Sequence, residues 1–326
     1  RSKSHRTTPP GRQQGITSVM SDIWSAAYTA TKKGKSGDIN LHVWRKRVGA
    51  PEQGKKDLPV LFMVHGSSFS ARSGFDLQVP GKSDYSMMDW FAHRGFDVWT
   101  VDHEGYGRSD WGEGSFSYVE DSIDDLNATM DVVERETGAR TCSMYGGSSG
   151  ALRAALFAAR CPEQVERVAV GAMVYTGKGS PTLAKRAEKL DIWKSSNKRP
   201  VDYEFFTTIF NRDKPGTSED IVAVALADSE APLCTHVPTG TYIDMCANLP
   251  IMEPEDVKCP FLLVRSEHDG IATDEDVMEF FQRLPNKDKQ FVMMDGQSHA
   301  ATLGINRKRF WHVIERFLSM PPRVDL

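Results

Sequence analysis

Hydrophobic and polar positions along the chain follow a repeating rhythm. Short β-branched or apolar runs alternate with stretches whose apolar residues recur every three or four positions. That pattern predicts βα units around a mainly parallel sheet. The predicted strands are Ile39 to Val48, Pro59 to Val64, Phe96 to Val101, Thr141 to Tyr145, Val165 to Val174, Pro260 to Arg265 and Gln290 to Met294. Several are continuous apolar runs, as expected of strands covered on both faces. Predicted helices are Ser86 to Arg94, Tyr118 to Thr137, Ala151 to Arg160, Asp274 to Leu284 and Arg309 to Met320.

The rhythm stops between Thr176 and Val257. Prolines 181, 200, 215, 232, 238 and 250 punctuate this block, which is rich in aromatics and poor in strand-like runs. A block of this length between two sheet strands predicts an insertion, a lid, because long connections inside compact domains are usually functional. The expected organisation is therefore an N-terminal extension over residues 1–35, a core made of 36–175 and 258–326, and a cap over 176–257.

One motif carries chemistry. Gly146-Gly147-Ser148-Ser149-Gly150 ends an apolar strand and opens a helix. In this setting a Gly-x-Ser-x-Gly turn holds its serine at strained backbone angles, while the flanking glycines keep side chains away from the neighbouring strand and helix. A serine hydroxyl is a weak nucleophile and needs a base. Of nine histidines, His299 is the best placed, in the turn Asp295-Gly296-Gln297-Ser298-His299 after the last predicted strand. His93 and His312 sit within helical patterns.

The imidazole in turn needs a carboxylate on its far nitrogen. Asp269, after the strand Pro260 to Arg265, is the preferred candidate and Glu267 the alternative. Two backbone N–H groups should face the oxyanion formed by attack on a carbonyl. Ser149, at the helix N-terminus, supplies one; Ser67, in His65-Gly66-Ser67-Ser68, is expected to supply the other, with Ser68 as alternative.

The order Ser148, Asp269, His299, the His65-Gly66 turn and the loop Asp102-His103-Glu104-Gly105-Tyr106-Gly107-Arg108-Ser109 together resemble the α/β-hydrolase superfamily. The resemblance spans about Ile39 to Leu318. It implies an α/β-hydrolase fold, a serine hydrolase mechanism, and a cap formed by the inserted block. Gly147 departs from many relatives, which place His, Trp or Gln before the nucleophile.

Other chemistries find no support in the motifs. Gly105-Tyr106-Gly107 lacks the third glycine of a dinucleotide fingerprint, no phosphate-cradling Gly-x-x-x-x-Gly-Lys-Ser/Thr run occurs, and His103-Glu104 has no second histidine at metal-binding spacing. No cofactor and no metal is expected. The net charge of −4, with basic residues scattered among acids, argues against a nucleic-acid partner.

Cys142, Cys161, Cys234, Cys246 and Cys259 form no Cys-x-x-Cys pair, so free thiols and a reducing compartment are expected, a Cys234–Cys246 bridge being the main alternative. No apolar run reaches the ~18 residues needed to span a bilayer. Arg1 to Gln14 is polar and basic, carries Pro9-Pro10 and lacks an initiating Met, so it reads as trimmed, processed or tagged. A removed signal peptide would leave no trace, which keeps a secreted or periplasmic location open beside a cytoplasmic one.

The expected reaction is cleavage of an ester-like bond in a small molecule. Amide, lactone or carbon–carbon cleavage, or a cofactor-free lyase or oxygenase reaction, are the alternatives. Aromatics and methionines of the block, among them Trp193, Phe205, Phe206, Phe210 and Tyr242, together with Phe69 and Phe75, would favour a partly apolar substrate where they line the pocket.

Overall fold

The computed structural model describes residues 22–210, 212–322 and 324. Its core is one eight-stranded sheet. In chain order the strands are β1 (Ile23–Gly34), β2 (Gly37–Val48), β3 (Val60–Val64), β4 (Asp97–Val101), β5 (Cys142–Gly147) and β6 (Val165–Gly171). A small separate pair follows, β7 (Lys198–Pro200) and β8 (His236–Pro238), and then β9 (Phe261–Ser266) and β10 (Lys289–Met294) complete the sheet. Across the sheet the order is β1-β2-β4-β3-β5-β6-β9-β10. β2 runs antiparallel to both β1 and β4, and every pairing from β4 to β10 is parallel.

The two-residue period of a strand divides the core between two faces. In β3, Val60, Phe62 and Val64 join one cluster, with Leu126 and Val133 of the helix Ser122–Thr137 and Leu152 and Leu156 of the helix Ser149–Arg160. Leu61 and Met63 join the opposite cluster, with Met87 and Phe91 of the helix Met87–Ala92 and Phe310, Trp311 and Ile314 of the helix Arg307–Leu318. All five residues of β3 and of β4 are buried, as the continuous apolar runs predicted. This mainly parallel sheet with helices on both faces is the expected α/β-hydrolase architecture.

Three boundaries differ from expectation. β1 lies inside the stretch read as an extension over residues 1–35. It is an edge strand whose burial alternates between half-buried and exposed, so its small and polar side chains carry little hydrophobic signal. The rest of that stretch, residues 1–21, lies outside the described residues. β6 stops at Gly171 rather than Val174, because Ala172 takes a left-handed φ of 54° that a strand cannot continue through. The helix expected from Tyr118 begins at Ser122, after a turn closed by the Ser122 N–H to the Val119 carbonyl at 3.2 Å.

Between β6 and β9 the chain builds short helices, among them Pro181–Ala187, Tyr203–Thr208 and Asp220–Glu230, around the β7–β8 pair. Phe206, Phe210, Val222, Leu226 and Val237 form their own cluster there, closed on the sheet side by Leu77, Val79, Tyr85, Tyr106 and Leu303. Among the described residues, no helix is long and apolar enough to cross a membrane. All five cysteines are free, including Cys234 and Cys246, so the alternative bridge does not form.

Candidate active site

β5 ends in a sharp turn at Ser148. Ser148 has φ 58° and ψ −127°, angles that an L-residue holds only when its surroundings enforce them. The enforcement is visible: the Ser148 N–H donates to the Gly171 carbonyl at 3.0 Å, and the Ala151 N–H to the Ser148 carbonyl at 2.9 Å. Glycine at 150 is obligatory, since a Cβ there would lie 2.1 Å from the Val64 carbonyl oxygen. A Cβ at Gly146 would meet the Gly150 carbonyl oxygen at 2.2 Å. The helix Ser149–Arg160 starts at once, and its first-turn amides have no partner within the helix.

Three widely separated residues meet at this turn. His299 Nε2 lies 3.1 Å from Ser148 Oγ, and His299 Nδ1 lies 2.8 Å from Asp269 Oδ1. Asp269 is fully buried in its side chain, whereas that of His299 is 12% exposed, so the imidazole has solvent access and the carboxylate none. Burial alone would push the Asp269 carboxyl up. His299, the Ile271 N–H at 3.0 Å and Arg265 outweigh it and hold the group below its ordinary value. The alternative carboxylate, Glu267, is occupied elsewhere: it accepts from the Gly296 N–H at 2.9 Å and pairs with His268.

The loop after β3 passes close beside the serine. A Cβ on Gly66 would lie 3.3 Å from Ser148 Cβ, which shows how near the bare backbone comes. Ser67 and Ser68 both line the cavity that contains Ser148, while Ser149 is fully buried behind it. The Ser67 carbonyl accepts from Arg199 Nη2 at 3.0 Å.

His65 braces this loop from beneath. Its Nε2 accepts from the His103 N–H at 2.9 Å, leaving Nδ1 as donor to the Gly66 carbonyl at 2.7 Å. Burial, reinforced by His103 and Arg153, holds His65 well below the ordinary histidine range, so it is a neutral structural group rather than a base. Arg153, buried in the helix after Ser148, donates to the His65 carbonyl at 3.3 Å.

The cavity beside Ser148 has a volume of about 80 Å3. Its wall includes Phe69, Phe75, Leu303 and Phe310, with Arg186 and Arg212 on the inserted segment. Trp193, Phe205 and Tyr242 line an adjoining cavity, whereas Phe206 and Phe210 are in the segment's own core and Tyr203 faces solvent. Of the aromatic residues singled out in the sequence, then, only some reach the pocket.

Among the described residues, Asp213, Asp269 and His299 form one group that could hold a metal, with one ligand atom each within 4.8 Å of the others. Two of them are already joined by the Nδ1–Oδ1 contact, and both Asp213 oxygens are taken by Arg212, from Nε and Nη2 at 2.9 Å each. Asp213 therefore already has a cationic partner. Asp213, Arg186 and Arg199 were not legible as site residues, because nothing local marks them: their relation to Ser148 exists only after the inserted segment folds over the sheet.

Solved structures share this architecture. The bromoperoxidase of Bacillus anthracis superposes with a TM-score of 0.65 at 15% identity, covering 90% of this chain and 100% of that one. An enol-lactonase from Burkholderia xenovorans LB400 gives 0.60 at 18% identity, covering 89% and 100%. The 2-hydroxy-6-oxo-6-phenylhexa-2,4-dienoate hydrolase of Rhodococcus sp. strain RHA1 gives 0.63 at 16%, covering 90% and 99%. At these identities the likeness is one of fold. No curated protein sequence matches the chain. A family model does: that of serine aminopeptidase S33 matches residues 81–303, more than half of the chain and inclusive of Ser148, Asp269 and His299. The chain belongs to this family of α/β hydrolases.

Proposed function

We propose that the chain is a serine hydrolase that cleaves an ester-like bond through an acyl-enzyme on Ser148. The observation that carries this reading is the imidazole of His299 lying between Ser148 Oγ at 3.1 Å and Asp269 Oδ1 at 2.8 Å, beside an open cavity. In the proposed first step Ser148 Oγ bonds to the substrate carbonyl carbon while its proton passes to His299 Nε2. Asp269, itself ionised, balances the imidazolium. The tetrahedral oxyanion is held by the Ser67 and Ser149 N–H groups. His299 then returns the proton to the departing alkoxide, and a water, deprotonated by His299, cleaves the acyl-enzyme and frees Ser148. Residues 176–257 act as a cap that closes the cavity over the reacting bond.

The same groups would serve other acyl carbons. Similar solved folds carry the names of a thioesterase domain and an enol-lactonase, so thioester and lactone cleavage belong to the same reading. The test is labelling with a fluorophosphonate, mapping of the modified residue, and an assay on p-nitrophenyl esters. Stoichiometric modification of Ser148 with ester turnover is expected. Turnover that survives full modification of Ser148 would defeat the acyl-enzyme.

A further inference from the structure

We infer that the arginines facing Ser148 from the inserted segment bind a carboxylate of the substrate, so that the preferred ester carries a free acid group as well as an apolar portion. This inference rests on the ester-cleaving reading above and specifies its substrate class.

Arg186 and Arg199 both stack on one ring: their guanidinium carbons lie 3.7 Å and 4.1 Å from the Tyr242 ring centre. Arg186 has no carboxylate partner among the described residues. Its side-chain contacts are that ring and the Met245 sulfur at 3.8 Å. Arg199, 3% exposed, spends Nη2 on the Ser67 carbonyl and leaves Nε buried without a partner among the described residues. Arg212 is the third cation, and its charge is met by Asp213.

Arg186 and Arg212 line the cavity around Ser148 and also the adjoining one, so they stand between the two. Among the described residues no carboxylate lines the first cavity and Asp213 alone lines the second, where Lys185, Lys189 and His268 add further basic groups. In a chain of net charge −4 this is a local reversal of sign at the approach to the serine.

A partly buried cation without a counter-charge is unfavourable, and cations crowded together more so. Both effects register in the groups themselves. Burial lowers the Arg186 pKa from its ordinary value, with Arg212 and Arg199 acting in the same direction and Tyr242 against it. Burial would raise Tyr242, but Arg199 and Arg186 bring its hydroxyl down to about 8. A phenol pulled towards ionisation is the response of a site short of negative charge. A guanidinium presents paired N–H donors that match the two oxygens of a carboxylate, and an entering substrate anion would supply the missing charge. The apolar wall of Phe69, Phe75, Leu303 and Phe310 then receives the hydrocarbon part.

Matched esters test this. Methanol release from monomethyl adipate and from methyl hexanoate is measured on the wild-type chain and on Arg186→Gln, at low and high salt. The expected kcat/KM ratio favours the acid ester by about tenfold or more in the wild type, shrinks with salt, and falls about tenfold in the variant. A wild-type ratio at or below one, or one unchanged in the variant, overturns the inference while leaving ester cleavage standing. Should Arg186→Gln fail to fold, the wild-type ratio and its salt dependence decide. Where neither ester turns over although a fluorophosphonate labels Ser148, adipate is tested for protection against that label. Protection supports the carboxylate subsite, and its absence at concentrations up to about 10 mM overturns it. Absence of both labelling and turnover instead removes the acyl-enzyme reading, and the inference with it.

Discussion

Arg199 donates from Nη2 to the Ser67 carbonyl at 3.0 Å, tying the inserted segment to the loop that runs beside Ser148. The bond joins residues 132 positions apart and is buried. In the proposed mechanism the Ser67 N–H faces the oxyanion, so the carbonyl on the other side of the residue is the handle by which that N–H is aimed. Arg199→Gln should therefore lower kcat on p-nitrophenyl acetate by about tenfold with a smaller change in KM, less than the 100-fold or more of losing an oxyanion donor outright. Kinetics within twofold of wild type would show that the loop holds its position unaided.

The three groups proposed for catalysis should fail as a unit. Ser148→Ala and His299→Ala are each expected to reduce kcat by roughly 10^4-fold or more, and the double variant by no more than the worse single one. Circular dichroism and thermal unfolding should stay near wild type. A double variant far below both singles would mean that serine and histidine act independently.

Gly150→Ala probes the turn without touching a reactive group. The added methyl would sit 2.1 Å from the Val64 carbonyl oxygen and 2.7 Å from that of His65. Backbone cannot yield as a side-chain tip can, so a loss of about 3 kcal/mol or more is expected, read by urea unfolding, together with loss of ester turnover. Wild-type stability in this variant would contradict the packing of helix against strand described above.

A pair of buried acids predicts a pH effect on stability. Burial pushes Asp102 up to about 6; N–H bonds from Arg108 and Ala71 oppose the rise and the nearby Glu230 adds to it. Glu230, fully buried, is raised as well, by burial above all, against hydrogen bonds from Ser70 and Ser73. Both acids hold protons more tightly folded than unfolded. The Asp102 contribution to stability is therefore fully present below its ordinary value of about 4 and is lost as pH rises through 6, and that of Glu230 is lost in the same direction. Glu230→Gln removes one acid and relieves the other. Relative to wild type, it should gain about 1 kcal/mol between pH 5 and pH 7.5, measured by urea unfolding at each pH. A flat difference across that range would contradict the pairing.

How far the chain could be read in advance depended on how local each signal was. β3 was legible because a central strand can write itself as an unbroken apolar run, and β4, β5 and β9 because short mainly apolar runs mark them. Ser148 was legible because the glycines that its turn requires are two residues away on either side. His299 and Asp269 followed from their places after β10 and β9, which parallel topology brings to the same end of the sheet. β1 was missed because an edge strand buries little and alternates weakly. Arg186, Arg199 and Asp213 were missed for a different reason: each matters through partners far along the chain, and a lone arginine in a helical or loop stretch looks the same whether it meets solvent or a cavity.

β10 is the outermost strand on its side of the sheet, and His299 follows it. The nucleophile turn, by contrast, is formed from β5 near the middle. In the proposed mechanism Ser148 gains its base only once the sheet has its last strand, so a chain ending before β10 should show no ester turnover.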